Sequence, residues 1–156
     1  MNAKKICFAA DRMLGRLAKW LRILGYDVIC GQHLSGHGLI RAARADARLI
    51  LTRDRSLARK QPPAFLFIES DDYVEQLRQV VGAYDLRLGA ELFTRCLRCN
   101  AQLQPRSKPT VEKLVPPYVF ASQERFSWCD GCKKLYWPAT HQQKMLDALE
   151  KIIPAR

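Results

Sequence analysis

The sequence predicts an α/β fold with a central parallel sheet, followed by a small cysteine-rich module and a C-terminal helix. Strand-like and helix-like segments alternate through residues 1–92, a pattern typical of parallel strands whose connecting helices cover both faces of a sheet. Two C-x-x-C pairs then lie within residues 93–140. The chain ends in a segment whose apolar residues recur at helical spacing. The predicted domains are therefore residues 1–92 and residues 93–156.

The elements of the first domain are predicted from apolar periodicity and from residues that interrupt it. The predicted strands are 5–10, 26–30, 48–52 and 64–69, and the predicted helices are 12–24, 39–47, 56–60 and 70 to about 84. Residues 31–38 are predicted as a loop because they include three glycines. Ser70 is predicted to cap the fourth helix. In the C-terminal helix, Thr140 and Gln143 are predicted to form a capping box.

The cysteines of the second domain are the most informative residues of the chain. Cys96 and Cys99 form one pair and Cys129 and Cys132 form the other, with 29 residues between the pairs. Two such pairs can place four thiolates around a tetrahedral ion, which predicts a structural Zn²⁺ in a zinc ribbon. Two disulfides or idle thiols are the alternative interpretation. A redox motif needs only one pair, placed at a strand-to-helix turn, and these pairs are not placed there.

The composition indicates an anionic partner and a cytoplasmic protein. The 156 residues include 26 Lys and Arg against 15 Asp and Glu, a net charge of +11, and such a balance is typical of proteins that bind nucleic acid. A basic surface that serves only solubility is the alternative. The first apolar run, residues 6–10, is only five residues long, so we expect no secretory segment and no membrane span. Cysteine pairs that must stay reduced favour the cytosol.

Two carboxylates are predicted at the carboxyl edge of the sheet, where parallel α/β domains bind ligands. Asp11 follows the first strand and Asp54 the third, so they converge if these strands are neighbours. Clustered carboxylates bind Mg²⁺ or Mn²⁺, which can orient a water for phosphodiester hydrolysis. An N-cap role for Asp11 and a turn role for Asp54 are alternatives that do not exclude metal binding. Arg12, Arg16 and Lys19 share a helix face that either follows a phosphate backbone or only faces solvent.

Several segments of the chain, taken in order, resemble the Mut-seven C-terminal RNase family of PIN-like domains with an attached zinc ribbon. They are DRMLGRLAKWLRILGYD at 11–27, LTRD at 51–54, RCLRCN at 95–100, and the second cysteine pair with the aromatic and Thr-His residues around it at 126–141. The resemblance implies a PIN-like fold and metal-dependent endonucleolytic cleavage of RNA. It also implies that Asp11 and Asp54 belong to an acidic metal site and that the four cysteines hold zinc. Arg53, beside Asp54, joins the basic helix residues as a predicted RNA-binding residue.

One position departs from the family's pattern. PIN-like domains usually carry another acid at the start of the second helix, 16 residues before the threonine that ends the third strand, and here that position is Gly36. His37 is adjacent and is the third candidate catalytic residue, because histidine can ligate manganese or act as a general acid or base. The sequence therefore predicts a metal-dependent endoribonuclease whose ribbon binds RNA. A non-catalytic RNA-binding module with a degenerate site is the alternative, and no oligomeric state is predicted.

Overall fold

A four-stranded parallel sheet forms the centre of the first domain. The structure, a computed structural model, describes residues 4–60, 62 and 64–153. The strands are β1 (Cys7–Ala10), β2 (Asp27–Cys30), β3 (Leu49–Thr52) and β4 (Phe65–Phe67). They lie in the order β2-β1-β3-β4, and all three pairings are parallel. The predicted α/β class with a central parallel sheet is therefore confirmed.

Helices cover both faces of this sheet and give the domain three layers. The helices are a 3₁₀ turn (Arg12–Leu14), α1 (Gly15–Ile23), α2 (Gly36–Ala45), α3 (Arg55–Arg59) and α4 (Tyr73–Tyr84). Because side chains alternate along a strand, Phe8 and Leu51 join a core with α1 and α4, whereas Ala9 and Ile50 join a separate core with α2 and α3. The two cores fix the sheet between its helices.

Helix α2 begins earlier than the sequence predicted. It starts at Gly36 rather than at residue 39, with Ser35 at the N-cap position. Leu39, Ile40 and Ala43 are buried in the smaller core, and this burial outweighs the low helix propensity of the glycines in the first turn. Gly36 therefore lies at the start of the second helix, where the family's pattern places an acid.

The caps of two helices also differ from the prediction. Asp72, not Ser70, caps α4, because its carboxylate accepts from two backbone N–H groups of the first turn at 2.9 and 3.1 Å. In the C-terminal helix, Ala139 occupies the N-cap position and makes no side-chain cap. The predicted capping box of Thr140 and Gln143 is therefore wrong, since Thr140 is already the first helical residue.

The second domain contains a three-stranded antiparallel sheet with its own small core. Its elements are β5 (Gln104–Arg106), a 3₁₀ turn (Lys108–Val111), α5 (Pro117–Ser122), β6 (Phe126–Cys129) and β7 (Lys134–Tyr136). The 3₁₀ turn and α5 lie between the cysteine pairs and account for their long spacing. Val111, Val115 and Val119 pack on Phe126 in this core, so the module combines a ribbon sheet with a short helical insertion.

The C-terminal helix, α6 (Thr140–Ile152), packs back on the α/β domain. Leu149 and Ile153 are 0% and 1% exposed and belong to the same core as α1 and α4. The boundary at residues 92 and 93 stays a prediction, because this helix shares a core with the α/β domain. Across the described residues, no helix combines the length and the apolar character that spanning a membrane requires.

Candidate acidic site and four-cysteine metal centre

Asp11 and Asp54 follow neighbouring strands at the carboxyl edge of the sheet. β1 pairs with β3, and the Asp11 N–H donates to the Leu51 carbonyl at 3.0 Å. The fully buried Thr52 links the two acids. Its hydroxyl donates to Asp11 Oδ2 at 2.7 Å and accepts from the Asp54 N–H at 2.9 Å. One side chain therefore sets the position of both predicted metal-site residues.

Asp11 is nearly buried, with 3% of its surface exposed. Besides Thr52, its carboxylate accepts from the Met13 N–H at 2.9 Å and from the Arg53 N–H at 3.0 Å. The N-cap role considered for Asp11 is therefore present, at the 3₁₀ turn that precedes α1. A carboxylate offers about four acceptor positions, so three hydrogen bonds leave about one position for a metal ion or a water.

Asp54 is half-buried and caps α3. Its Oδ1 accepts from the N–H groups of Ser56 at 2.9 Å and Leu57 at 3.3 Å. Among the described residues, no hydrogen bond reaches Oδ2. That oxygen is the more available ligand atom of the two acids.

His37 lies in the first turn of α2 and is exposed. Its Nε2 is 3.5 Å from Lys60 Nζ, just after α3. An added Cβ at Gly36 would meet no atom within 4 Å, so there is space for a side chain, but the φ of +52° strains any residue other than glycine. Within the part of the chain that the structure describes, Asp11, Asp54 and His37 do not form a three-ligand group. The catalytic role of His37 stays a prediction.

The predicted RNA-binding residues differ in solvent exposure and in the contacts that they already make. Arg12, Arg16 and Lys19 are exposed, and the Arg16 guanidinium lies 4.0 Å from the centre of the Tyr73 ring. Arg53 is half-buried, and its Nη1 donates to two backbone carbonyls just beyond β4 at 3.3 and 2.8 Å. The helix residues can therefore reach a ligand directly, whereas Arg53 already ties β3 to the end of β4.

The four cysteines converge as the sequence predicted. Their Sγ atoms all lie within 4.8 Å of one another, with Cys99 and Cys129 at 3.3 Å and Cys96 and Cys132 at 3.8 Å. A tetrahedral zinc ion with Zn–S bonds of about 2.3 Å requires sulfur separations of about 3.8 Å. All four thiols are free of disulfides. The cluster can therefore hold a structural metal ion such as zinc, for which four thiolates are a preferred donor set.

The surroundings of the cluster favour the thiolate at Cys96, whereas burial raises the pKa of Cys129 and hydrogen bonding with Cys99 raises the pKa of Cys132. The Tyr136 hydroxyl lies 3.1 Å from Cys96 Sγ, and a Cβ on Gly131 would come within 3.2 Å of Cys99 Sγ. Burial alone would raise the pKa of Cys96, but hydrogen bonds from Tyr136 and from two backbone N–H groups lower it to about 6. The glycine leaves room for the sulfur, and the tyrosine supplies an outer hydrogen bond of the kind that tunes metal ligands.

Buried polar contacts join the metal module to β2, an edge strand of the parallel sheet. Arg22 is 6% exposed and donates to the Val28 carbonyl at 3.0 and 2.7 Å and to the Leu97 carbonyl at 3.0 Å. Asn100 accepts from the Val28 N–H at 2.9 Å and donates to Asp27 at 2.7 Å. The first cysteine knuckle is therefore held by α1 and by both polar backbone groups of Val28.

The sequence did not reveal Arg22 and Asn100 as docking residues. Asn100 directly follows the first C-x-x-C and has a φ of +72°, a conformation that asparagine adopts more readily than most residues. The position of Asn100 directly after the cysteine pair was the one feature of the sequence that could have indicated a structural role. Arg22 gave no such indication, because a basic residue beside an apolar helix stripe usually extends its head into solvent.

The fold and site define a class of protein, a parallel α/β domain with paired acids at its carboxyl edge and an attached four-cysteine metal module. The family model described as the Mut7-C RNAse domain matches residues 6–149, nearly the whole chain. The chain therefore belongs to the Mut7-C RNAse domain family, which confirms the resemblance found in the sequence and indicates an RNase-type function with RNA as the substrate. No curated protein and no solved structure matches the chain.

Proposed function

We propose that the protein is a metal-dependent endoribonuclease in which Asp11 and Asp54 hold Mg²⁺ or Mn²⁺. The observation that carries this proposal is the Thr52 hydroxyl, which is hydrogen-bonded to both acids at the carboxyl edge of neighbouring strands. The remaining acceptor position of Asp11 and the Oδ2 of Asp54, to which none of the described residues donates, are the proposed ligand positions. When bound, such a cation supplies a water of lowered pKa and neutralises phosphate charge.

The other predicted residues have complementary roles in this proposal. Arg12, Arg16 and Lys19 hold the phosphate backbone along the first helix, which begins at the acidic edge. Arg53 fixes Asp11 through its backbone N–H and adds positive charge beside the acids. His37, exposed at the start of α2, is the proposed group that moves a proton during cleavage.

We further propose that the zinc ribbon binds RNA. Residues 93–156 contain 11 basic and five acidic residues, a net charge of +6 in the shorter part of the chain. Arg106 lies 5.1 Å from the centre of the Trp128 ring, and Tyr118 is 74% exposed, so the module offers both charge and rings for unpaired bases. Its disulfide-free cysteines support the cytosol as the place where the protein acts.

The decisive experiment is cleavage of a labelled mixed RNA pool with Mg²⁺, with Mn²⁺ and with chelator. We expect metal-dependent cutting by the wild type and loss of cutting in Asp11→Asn and Asp54→Asn. Asp54→Asn is the cleaner variant, because asparagine is also a good N-cap and the change removes mainly charge. Asp71→Asn, an exposed acid just before α4, is the matched control. Undiminished cutting by both site variants would overturn the proposal.

A non-catalytic RNA-binding module is the second candidate, and Gly36 is the observation that favours it. Two carboxylates without a third acid bind magnesium weakly, since such sites depend on ligand charge. Gly36→Asp tests this, because the site has room for a side chain and aspartate tolerates positive φ better than most residues. Cutting that rises in Gly36→Asp supports the acidic site. Salt-dependent RNA binding without cutting by either protein would favour the module.

A further inference from the structure

A groove between α1, α4 and α6 combines aromatic, apolar and basic side chains, and the proposed acidic site makes no use of it. The groove has a volume of about 420 Å³. Its lining includes Trp20, Tyr73, Val74, Arg78, Lys144 and Lys151. We propose that this α1–α4–α6 groove binds a nucleotide of a single-stranded RNA segment that continues from the acidic edge. The inference rests on the proposed RNA-directed function and adds a second RNA contact to it.

The aromatic side of the groove is already organised as a stack. The rings of Trp20 and Tyr73 are 6.0 Å apart and inclined by only 13°, and Arg16 lies over Tyr73 at 4.0 Å. Both rings are only half-buried, so they keep surface available to a ligand. Base stacking on such rings accepts any nucleotide, because every base has a π face.

The basic side of the groove lies on α6. Lys144 and Lys151 are seven residues apart, which is about two helical turns, and both are exposed. Neither lysine has an ion-pair partner among the described residues. The acid of the groove, Asp147, accepts from the Gln143 amide at 2.8 Å. Because two lysines face this single lining acid, the groove is positive and suited to phosphate.

The 3₁₀ turn and α1 lead from Asp11 at the acidic edge to Trp20 in the groove. Arg16 and Trp20 are four residues apart in α1 and so lie on one side of that helix, and Arg12 lies in the 3₁₀ turn that precedes it. Asp11 and Trp20 are separated by roughly 15 Å along the axis, given the rises of a 3₁₀ turn and an α-helix. An RNA strand at the acidic edge would thus reach the groove within a few nucleotides, with Arg16 between the two sites.

The first test measures binding of a fluorescein-labelled oligouridine of eight nucleotides to the full chain. We expect the double variant Lys144→Glu/Lys151→Glu to weaken binding by about tenfold. We also expect the plot of log K against log salt to become less steep by about 1.4, because each lost phosphate contact accounts for about 0.7. The control, Arg41→Glu/Arg44→Glu, changes the same charge on exposed residues of α2, across the sheet. An equal loss in both variants would overturn the proposal.

The second test follows the indole N–H signal of Trp20 by NMR, with Trp20→Phe used to assign it. Oligouridine should shift this signal in the wild type but not in the lysine variant. If the wild type cleaves RNA while the Trp20 signal and the lysine variant's affinity stay unchanged, the groove proposal fails and the nuclease proposal stands. If Trp20 shifts without any cleavage, the groove stands alone. A shift with an oligoglutamate peptide but not with oligouridine would overturn the RNA assignment in favour of a protein partner.

Discussion

Asn100 offers the sharpest test of how the metal module is attached to the sheet. Its side chain accepts from the Val28 N–H at 2.9 Å and donates to Asp27 Oδ1 at 2.7 Å, and it is 9% exposed. Asn100→Gly removes both bonds without backbone strain. Leaving the buried Val28 N–H unpaired costs about 1–3 kcal/mol, and losing a bond to a charged group costs about 1.5–3 kcal/mol. We expect Asn100→Gly to lower the free energy of unfolding by about 3 kcal/mol.

Asn100→Ala separates the hydrogen bonds from the backbone conformation. The φ of +72° at this position disfavours alanine by about 1–2 kcal/mol relative to glycine. We therefore expect Asn100→Ala to be less stable than Asn100→Gly by about this amount. Lys133→Gly is the control, since Lys133 also has a positive φ, of +53°, but is exposed.

The assay is urea unfolding at a fixed concentration of free zinc, so that the metal contributes equally to every variant. The control should be neutral or slightly stabilised. If Asn100→Gly unfolds within about 0.5 kcal/mol of the wild type, a value typical of surface substitutions, the contacts of Asn100 do not hold the junction together and the reasoning is wrong.

Three further predictions concern the junction, the metal centre and the core. Burial acts to raise the pKa of Asp27, but hydrogen bonds from Arg48 and Asn100 lower it overall. The contribution of Asp27 to the free energy of unfolding is therefore present above about pH 4 and lost at lower pH. The difference in unfolding free energy between the wild type and Asp27→Asn should shrink on acidification. A difference that stays constant with pH would refute this. Tyr136→Phe should weaken zinc binding by about tenfold in a chelator competition, and an unchanged affinity would contradict the role of its hydroxyl. Leu149→Ala should cost about 2–5 kcal/mol in urea unfolding, whereas a surface-like loss below about 0.5 kcal/mol would show that α6 does not share the core.

The position of the acids was predictable because it depends on topology more than on side-chain detail. In a parallel sheet, residues that follow neighbouring strands meet at one edge, and β1 and β3 are neighbours here. The cysteine centre was predictable because each pair lies within one turn. In both cases the residues next to each acid or cysteine are enough to predict that it lies at a strand end or in a tight turn.

The junction and the groove were not predictable, because each depends on contacts between residues that are far apart in the sequence. Arg22 meets Leu97 across 75 residues of chain, and Trp20 and α6 line one groove only because that helix returns to the first domain. No local pattern records such pairs. The start of α2 was misplaced because propensity opposes a helix at Gly36, while the burial that stabilises it is a tertiary effect.

The docking of the first knuckle on β2 also determines what neighbouring molecules can touch. β2 is an edge strand of the parallel sheet, and an uncovered edge offers unpaired N–H and C=O groups to strands of other chains. Asn100 occupies the N–H of Val28 and Arg22 occupies its carbonyl. Asn100, from the metal module, thus shields the N–H of Val28, while Arg22, from α1, shields its carbonyl. Asn100→Gly would therefore open one backbone donor of this edge to strands of other chains.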